Sequence, residues 1–105
     1  MLSKNIDENK NDKLISSLEK LGFTKKEATV YLALLLLGEV GSSKIIKKTG
    51  LHGQYVYQAL AKLEIKGLVQ HLSQSGRKKF SAKHPRTITR LIAEQQKISE
   101  KIVSE

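Results

Sequence analysis

Cysteine is absent from the 105 residues, which excludes a disulfide framework, a thiolate zinc site and a cysteine nucleophile. Long apolar runs are absent too. The longest, Val30 to Leu37, falls far short of the ~20 residues that span a bilayer. Met1 to Asp12 is polar, so no secretory signal is visible, and no membrane partner is expected. Aromatic residues make up 5% of the chain, too few for the multi-aromatic platforms that stack single-stranded bases, which weakens an RNA-binding reading. There is no Gly-rich phosphate loop, no closely spaced pair of metal ligands and no nucleophile triad, so neither catalytic residues nor a cofactor is expected. His52, His71 and His84 stand 19 and 13 residues apart, a spacing that does not read as a metal site.

Acidic residues are scarce in only one part of the chain. Met1 to Glu39 balances six lysines with six acids, whereas Val40 to Ala93 carries eleven basic residues against Glu64 alone. The net +9 of the chain is therefore concentrated in its middle and later part, the footprint expected for a polyanionic partner. A hydrophobic content of 39% over this length suits one small core with tails.

The stretch Ser42 to Val69 reads as two short helices joined by a tight turn and followed at once by a strand. Ser42 can cap the first helix, Ile45 and Ile46 form its apolar side, and Gly50 ends it where a left-handed residue is needed. The second helix runs from about Gly53 to Lys66. Val56, Ala59, Leu60 and Leu63 fall at i, i+3, i+4 and i+7 on its buried stripe. Gln54, Tyr55, Gln58 and Lys62 remain on the other side, where amide, phenol and ammonium groups can meet base edges and no carboxylate repels DNA. The bland alternative is a solvated helix face.

Upstream, Met1 to Asp12 lacks periodicity and reads as a disordered arm. A first helix is expected from Lys13, capped by Asn11 or Asp12, with Leu14, Leu18 and Leu21 on one face and Gly22 closing it. Thr24 and Glu27 form a capping box that opens a helix to Gly38, apolar all round and hence central. On that helix Tyr31 reads as a core residue with its hydroxyl bonded at the edge. Downstream, Leu68 to Gln74 and Lys79 to Ala82 read as a hairpin about Ser75-Gly76, with Arg77, Lys78 and Lys79 at or beside its tip. Those cations can straddle backbone phosphates, or merely guard an exposed strand edge. Pro85 suits the first turn of a last helix from about Arg86. On it Ile88, Leu91, Gln95, Ile98 and Ile102 form a short a/d seam for dimerisation, unless the helix packs inward against Leu14, Leu18 and Leu21.

The order Leu21-Gly22-Phe23-Thr24, Glu27-Ala28, Tyr31-Leu32-Ala33-Leu34-Leu35, Gly50, Val56-Tyr57, Leu60 and Leu63-Glu64-Ile65-Lys66-Gly67-Leu68-Val69 resembles the winged helix-turn-helix domain of the TrmB-like transcriptional regulators. The resemblance covers about Lys13 to Ile92. It implies a DNA-binding regulator, often dimeric and frequently archaeal. Two departures are visible. His52-Gly53-Gln54-Tyr55 stands where such domains usually open the recognition helix with a small polar or basic residue, and Lys78 stands where a wing proline is common. Longer members carry a sugar-binding effector domain, for which 105 residues leave no length, and no small-molecule effector site is expected.

The expected fold is mainly α with a small β-hairpin, a winged helix-turn-helix with a C-terminal helix. Its parts are an arm over 1–12, the winged helix over 13–85, and a possible dimerising helix over 86–105. The expected function is that of a cytoplasmic, nucleoid-associated transcriptional regulator that binds double-stranded DNA sequence-specifically as a homodimer. Bases would be read by Gln54, Tyr55, Gln58 and Lys62, and the backbone held by Ser43, Lys44, Lys47, Lys48, Tyr57, Arg77, Lys78 and Lys79. A winged-helix protein-interaction module of transcription or chromosome machinery is the alternative, although such a module needs no concentration of positive charge on its helix-turn-helix and wing.

Overall fold

Thr24 stands in extended backbone and closes a reciprocal capping box. Glu27 N donates to Thr24 Oγ1 at 3.1 Å, and Thr24 N donates to Glu27 Oε1 at 2.9 Å. Two otherwise orphaned donors are thereby satisfied, and α2 runs from there over Lys25–Leu37. This is the central helix: α1 (Leu2–Lys20), α3 (Ser42–Thr49), α4 (Gly53–Ile65) and the later strand of a hairpin all pack on it. The computed structural model describes the backbone of residues 2–86, 88–90 and 93, and side chains over 11–86, 88–90 and 93. Among these residues the fold is a winged helix-turn-helix, α1-α2-α3-α4 followed by the antiparallel pair β1 (Val69–Gln74) and β2 (Arg77–Ala82). No described helix is long and apolar enough to cross a membrane.

The core gathers Leu18, Phe23, Val30, Tyr31, Leu34, Ile45, Val56, Leu60, Leu63, Val69 and Phe80. Both apolar stripes of the helix-turn-helix are therefore buried as their spacing requires: Ile45 on α3, and Val56, Ala59, Leu60 and Leu63 on α4. The turn between these helices passes through Gly50, at φ 73°, where an L side chain would be strained. The last turn of α2 departs from the expectation of burial all round, because no described element covers Leu36, which is 65% exposed.

The first helix differs most from its sequence reading. The backbone is helical from Leu2, so the stretch expected to be a disordered arm belongs to α1, and Asn11 and Asp12 lie inside the helix instead of capping it. Met1 to Leu21 contains no glycine or proline. Once Leu14, Ile15 and Leu18 dock on the core, each added turn needs no new nucleation. Leu21, expected on the same stripe, is 48% exposed. The chain has already left the helix there: Gly22 N donates to Glu19 O at 3.0 Å and Phe23 N to Leu18 O at 3.1 Å, which returns Phe23 to the core in place of Leu21.

Val40, outside either strand, exchanges two backbone hydrogen bonds with Phe80, at 3.0 and 2.7 Å. The wing is thus tied to the loop that enters α3, a bridge with no sequence signature because Val40 has no strand around it. After β2 the chain is pinned again. Lys83 N donates to Leu68 O at 2.8 Å, and the buried Tyr31 donates its hydroxyl to Lys83 O. Pro85 O then accepts from Ile88 N and Thr89 N, both at 3.0 Å, and opens the helical residues that follow. This segment carries Ile88 into the core, where it is 3% exposed. Ile88 is therefore not a dimer-seam residue as its heptad spacing suggested: a side chain fully covered by its own chain has no surface left for a partner. The other seam positions, Leu91, Gln95, Ile98 and Ile102, lie outside the described residues.

Burial pushes the Tyr31 phenol up to about 12. Its ionisation opposes folding, so its contribution to stability is fully present below ~pH 10 and is lost as the pH rises through 12. Tyr31→Phe should remove that dependence. In circular dichroism titrations between those limits, the substituted chain should lose helix less steeply than the unaltered one, and parallel curves would contradict the assignment.

Candidate nucleic-acid interface

The four residues expected to read bases stand where their spacing puts them. With Val56, Ala59, Leu60 and Leu63 turned into the core, Gln54, Tyr55, Gln58 and Lys62 are all exposed on α4. His52 is the N-cap of α4 in extended backbone, with its carbonyl accepting from Tyr55 N and Val56 N at 3.0 and 3.1 Å. Its imidazole makes no capping bond and instead lies against the Tyr55 ring, 6.2 Å between centroids.

The backbone-holding set divides into two groups. Ser43, Lys44, Tyr57, Arg77, Lys78 and Lys79 converge on one groove of about 850 Å³ between the start of α3, the side of α4 and the hairpin. Ser42 also lines it. Its expected role as helix cap is corrected: Gly41 is the N-cap and makes no side-chain bond, whereas Ser42 is already helical and its Oγ lies 2.9 Å from the Tyr57 hydroxyl. That contact bridges the two helices of the helix-turn-helix across the groove floor, and it leaves the first N–H groups of α3 without a side-chain acceptor. Lys47 and Lys48 are not brought into the groove. They sit in the last turn of α3, where cations suit the negative end of the helix dipole, and Lys48 lines a separate cleft of about 140 Å³ with Ile15 and Thr29.

The wing turns at Ser75 and Gly76, both with positive φ (51° and 77°), a two-residue turn whose twist matches that of the strands it joins. Gln74 pairs directly with Arg77, so the cations expected at the tip begin on the first residue of β2. Register then separates them. Lys78 shares the face of its partner Ser73 and of the buried Phe80, while Arg77 and Lys79 share the opposite, solvent-facing side with Gln74 and Leu72. Cations therefore project from both faces of the hairpin, and all three are exposed.

Carboxylates are largely turned away from this surface. Glu64, the single acid between Val40 and Ala93, is hydrogen-bonded to His71 Nδ1 on β1. Glu27 is buried and ion-paired with Lys66 Nζ at 2.9 Å. Burial alone would raise its carboxyl, but the Lys66 ammonium, the Thr24 N–H and the charge of Lys62 outweigh it and hold the group below the usual carboxylate range. Glu39 lines the wing groove, and Glu27, although paired, borders the hollow beside Tyr55, Gln58 and Lys62. Among the described residues no three of the histidines and carboxylates gather as a metal site would require. One residue of the surface was not legible in sequence: Lys26, in the first turn of α2, places its ammonium 3.5 Å from the centroid of the Tyr55 ring.

Comparison with known proteins identifies the family and the fold. The family model described as "Sugar-specific transcriptional regulator TrmB" matches residues 18–86. The HTH-type sugar sensing transcriptional regulator TrmBL1 of Pyrococcus furiosus is 34% identical over 58 residues, which make up 55% of this chain and 17% of that relative. Among solved structures, TrmBL2, an archaeal chromatin protein, superimposes with a TM-score of 0.67 at 20% identity, covering 90% of this chain and 38% of that one. MepR, the transcription regulator of the Staphylococcus aureus multidrug efflux pump MepA, gives 0.67 at 20% identity over 98% of this chain and 80% of its own. At such identities the two structural likenesses carry the fold.

Proposed function

The chain belongs to the TrmB family of transcriptional regulators, and from that premise we infer that it binds double-stranded DNA sequence-specifically, with α4 in the major groove and the basic wing on the backbone beside it. The observation that carries this reading is the convergence of Ser43, Lys44 and Tyr57 with Arg77, Lys78 and Lys79 on one groove. They come from segments twenty or more residues apart and flank the carboxylate-free face of α4. A phosphate in that groove meets ammonium and guanidinium groups, hydroxyls and the open N-terminus of an α-helix, which together favour an anion. An interaction module of the same fold has no need of this arrangement.

In this reading residues 13–85 are the DNA-binding unit, and residues 86–105 help to pair two copies. A single winged helix covers a short half-site, so a twofold dimer would prefer half-sites about one helical turn apart. Such a protein would reside with the nucleoid in the cytoplasm.

A titration with random-sequence duplex at several salt concentrations tests the reading. If three or four of Lys44, Arg77, Lys78 and Lys79 release counterions, the log-log slope should be roughly −3 per protomer, at ~0.9 per phosphate. Binding that is absent at about 50 mM salt, or indifferent to salt, would return the chain to the interaction-module alternative.

A further inference from the structure

We propose that Lys26 is a specificity-determining residue of the DNA-reading surface, and that it acts by holding the Tyr55 ring; this rests on the DNA-binding function proposed above. The N-terminal stretch is neutral, and its charge pattern gives no reason to assign it to the interface. The fold nevertheless brings one of its cations onto α4. The capping box of Thr24 and Glu27 sets where α2 begins, and Lys26, in its first turn, lies over the face of Tyr55.

A tyrosine reads a base edge through one hydroxyl whose direction follows from the ring plane. Left to itself, an exposed ring near the start of a helix samples several rotamers, and discrimination averages over them. Here the ring is engaged on its π-face by the ammonium and inclined at 55° to the His52 imidazole. Tyr55 is 36% exposed, and a ring held by these contacts has less conformational freedom to lose on binding. Gln58 and Lys62 line the same shallow hollow with Thr24, Lys26 and Tyr55. Glu27, the acid within it, is committed to Lys66 and does not compete for Lys26. Lys26 is thus a positioning residue for the base-reading face, distinct in role from the cations of the wing groove.

The test compares Lys26→Met, which keeps the stem and loses the cation, with Lys26→Arg, which keeps both. The probes are a duplex selected from a random library and its scrambled counterpart. Lys26→Met should lower the selected-to-scrambled affinity ratio about two- to fivefold, the scale of a solvent-exposed cation–π contact, with the salt slope unchanged, and Lys26→Arg should restore the ratio. A slope shallower by about one with the ratio intact would make Lys26 an ordinary phosphate contact and overturn the proposal, as would an arginine variant no better than methionine. The stacking is also read without DNA. The Lys26 side-chain protons should be shifted upfield by the ring current in NMR spectra, and Tyr55→Leu should abolish the shift; no shift in the unaltered chain removes the premise. If the unaltered chain binds no duplex, the functional reading fails and takes this inference with it. If it binds and discriminates but Lys26→Met discriminates equally well, only the role of Lys26 is lost.

Discussion

Truncating Ile88 to alanine is expected to destabilise the chain by about 2–5 kcal/mol, the range for deleting a buried aliphatic side chain that leaves a cavity. Against a total of about 5–15 kcal/mol for a domain of this size, that is a large fraction, and the melting temperature should fall by roughly 10 °C or more. The expectation rests on the burial of Ile88 among Leu18, Phe23, Tyr31 and Leu34 in one cluster. What makes the experiment informative is its dependence on protein concentration. A core deletion costs the same in dilute and concentrated solution, whereas a seam deletion weakens association and its cost vanishes once the chain is monomeric. Melting at two concentrations, with sedimentation of the same samples, separates these cases. Unaltered melting in the dilute sample together with reduced association would put Ile88 back in the seam. Sedimentation also tests the proposed dimer directly, since a monomer at ~100 μM would leave half-site pairing without a basis.

The second large effect is expected in DNA binding. Replacing Arg77, Lys78 and Lys79 together by alanine should weaken binding to every duplex about a hundredfold at low salt and make the salt slope shallower by roughly two to three. The three side chains are exposed on both faces of the hairpin, so the fold should survive their loss, and circular dichroism should show an unchanged melting curve. Gln54→Ala or Gln58→Ala should behave in the opposite way. Each is expected to cost about 1–3 kcal/mol on the preferred sequence and little on others, with the salt slope preserved. Sequence preference altered by the wing substitutions and untouched by those on α4 would mean that the roles are reversed.

The contrast between these two predictions follows from what could be read locally. The stripe Val56, Ala59, Leu60, Leu63 is a property of one helix: whichever neighbour covers it, the residues between those positions face away. The exposed set on α4 therefore followed from spacing alone, as did the buried Ile45 on α3 and the turn at Gly50. The hairpin was legible for the same reason, since Ser75 and Gly76 accommodate the positive φ that a two-residue turn demands, and the pairing register follows from that turn.

Ile88 shows where such reasoning stops. Its spacing with Leu91 and Gln95 is that of a heptad seam, but spacing identifies an apolar side and not its occupant. The occupant was decided by the path of residues 83–85, which the Tyr31 hydroxyl and Leu68 O tie down at Lys83. Lys47 and Lys48 show the same limit in reverse. Composition put them with the other cations, while α3 carries them roughly 8–9 Å along its axis from its groove end at Ser42.

The sequence by itself determined the element order, the capping box at Thr24 and Glu27, the central α2, the two faces of α4 and the placement of a basic wing after it. Each of these rests on hydrogen bonds or periodicity within a few residues, so the neighbouring side chains are the ones that act. Only the tertiary structure decided that Val40 bridges Phe80, that Ser42 reaches Tyr57, that Lys26 lies on Tyr55 and that Ile88 belongs to the core. The physical reason is that these contacts join groups on separate elements, whose meeting depends on how α2 orients the helices packed around it, and no local pattern encodes that angle.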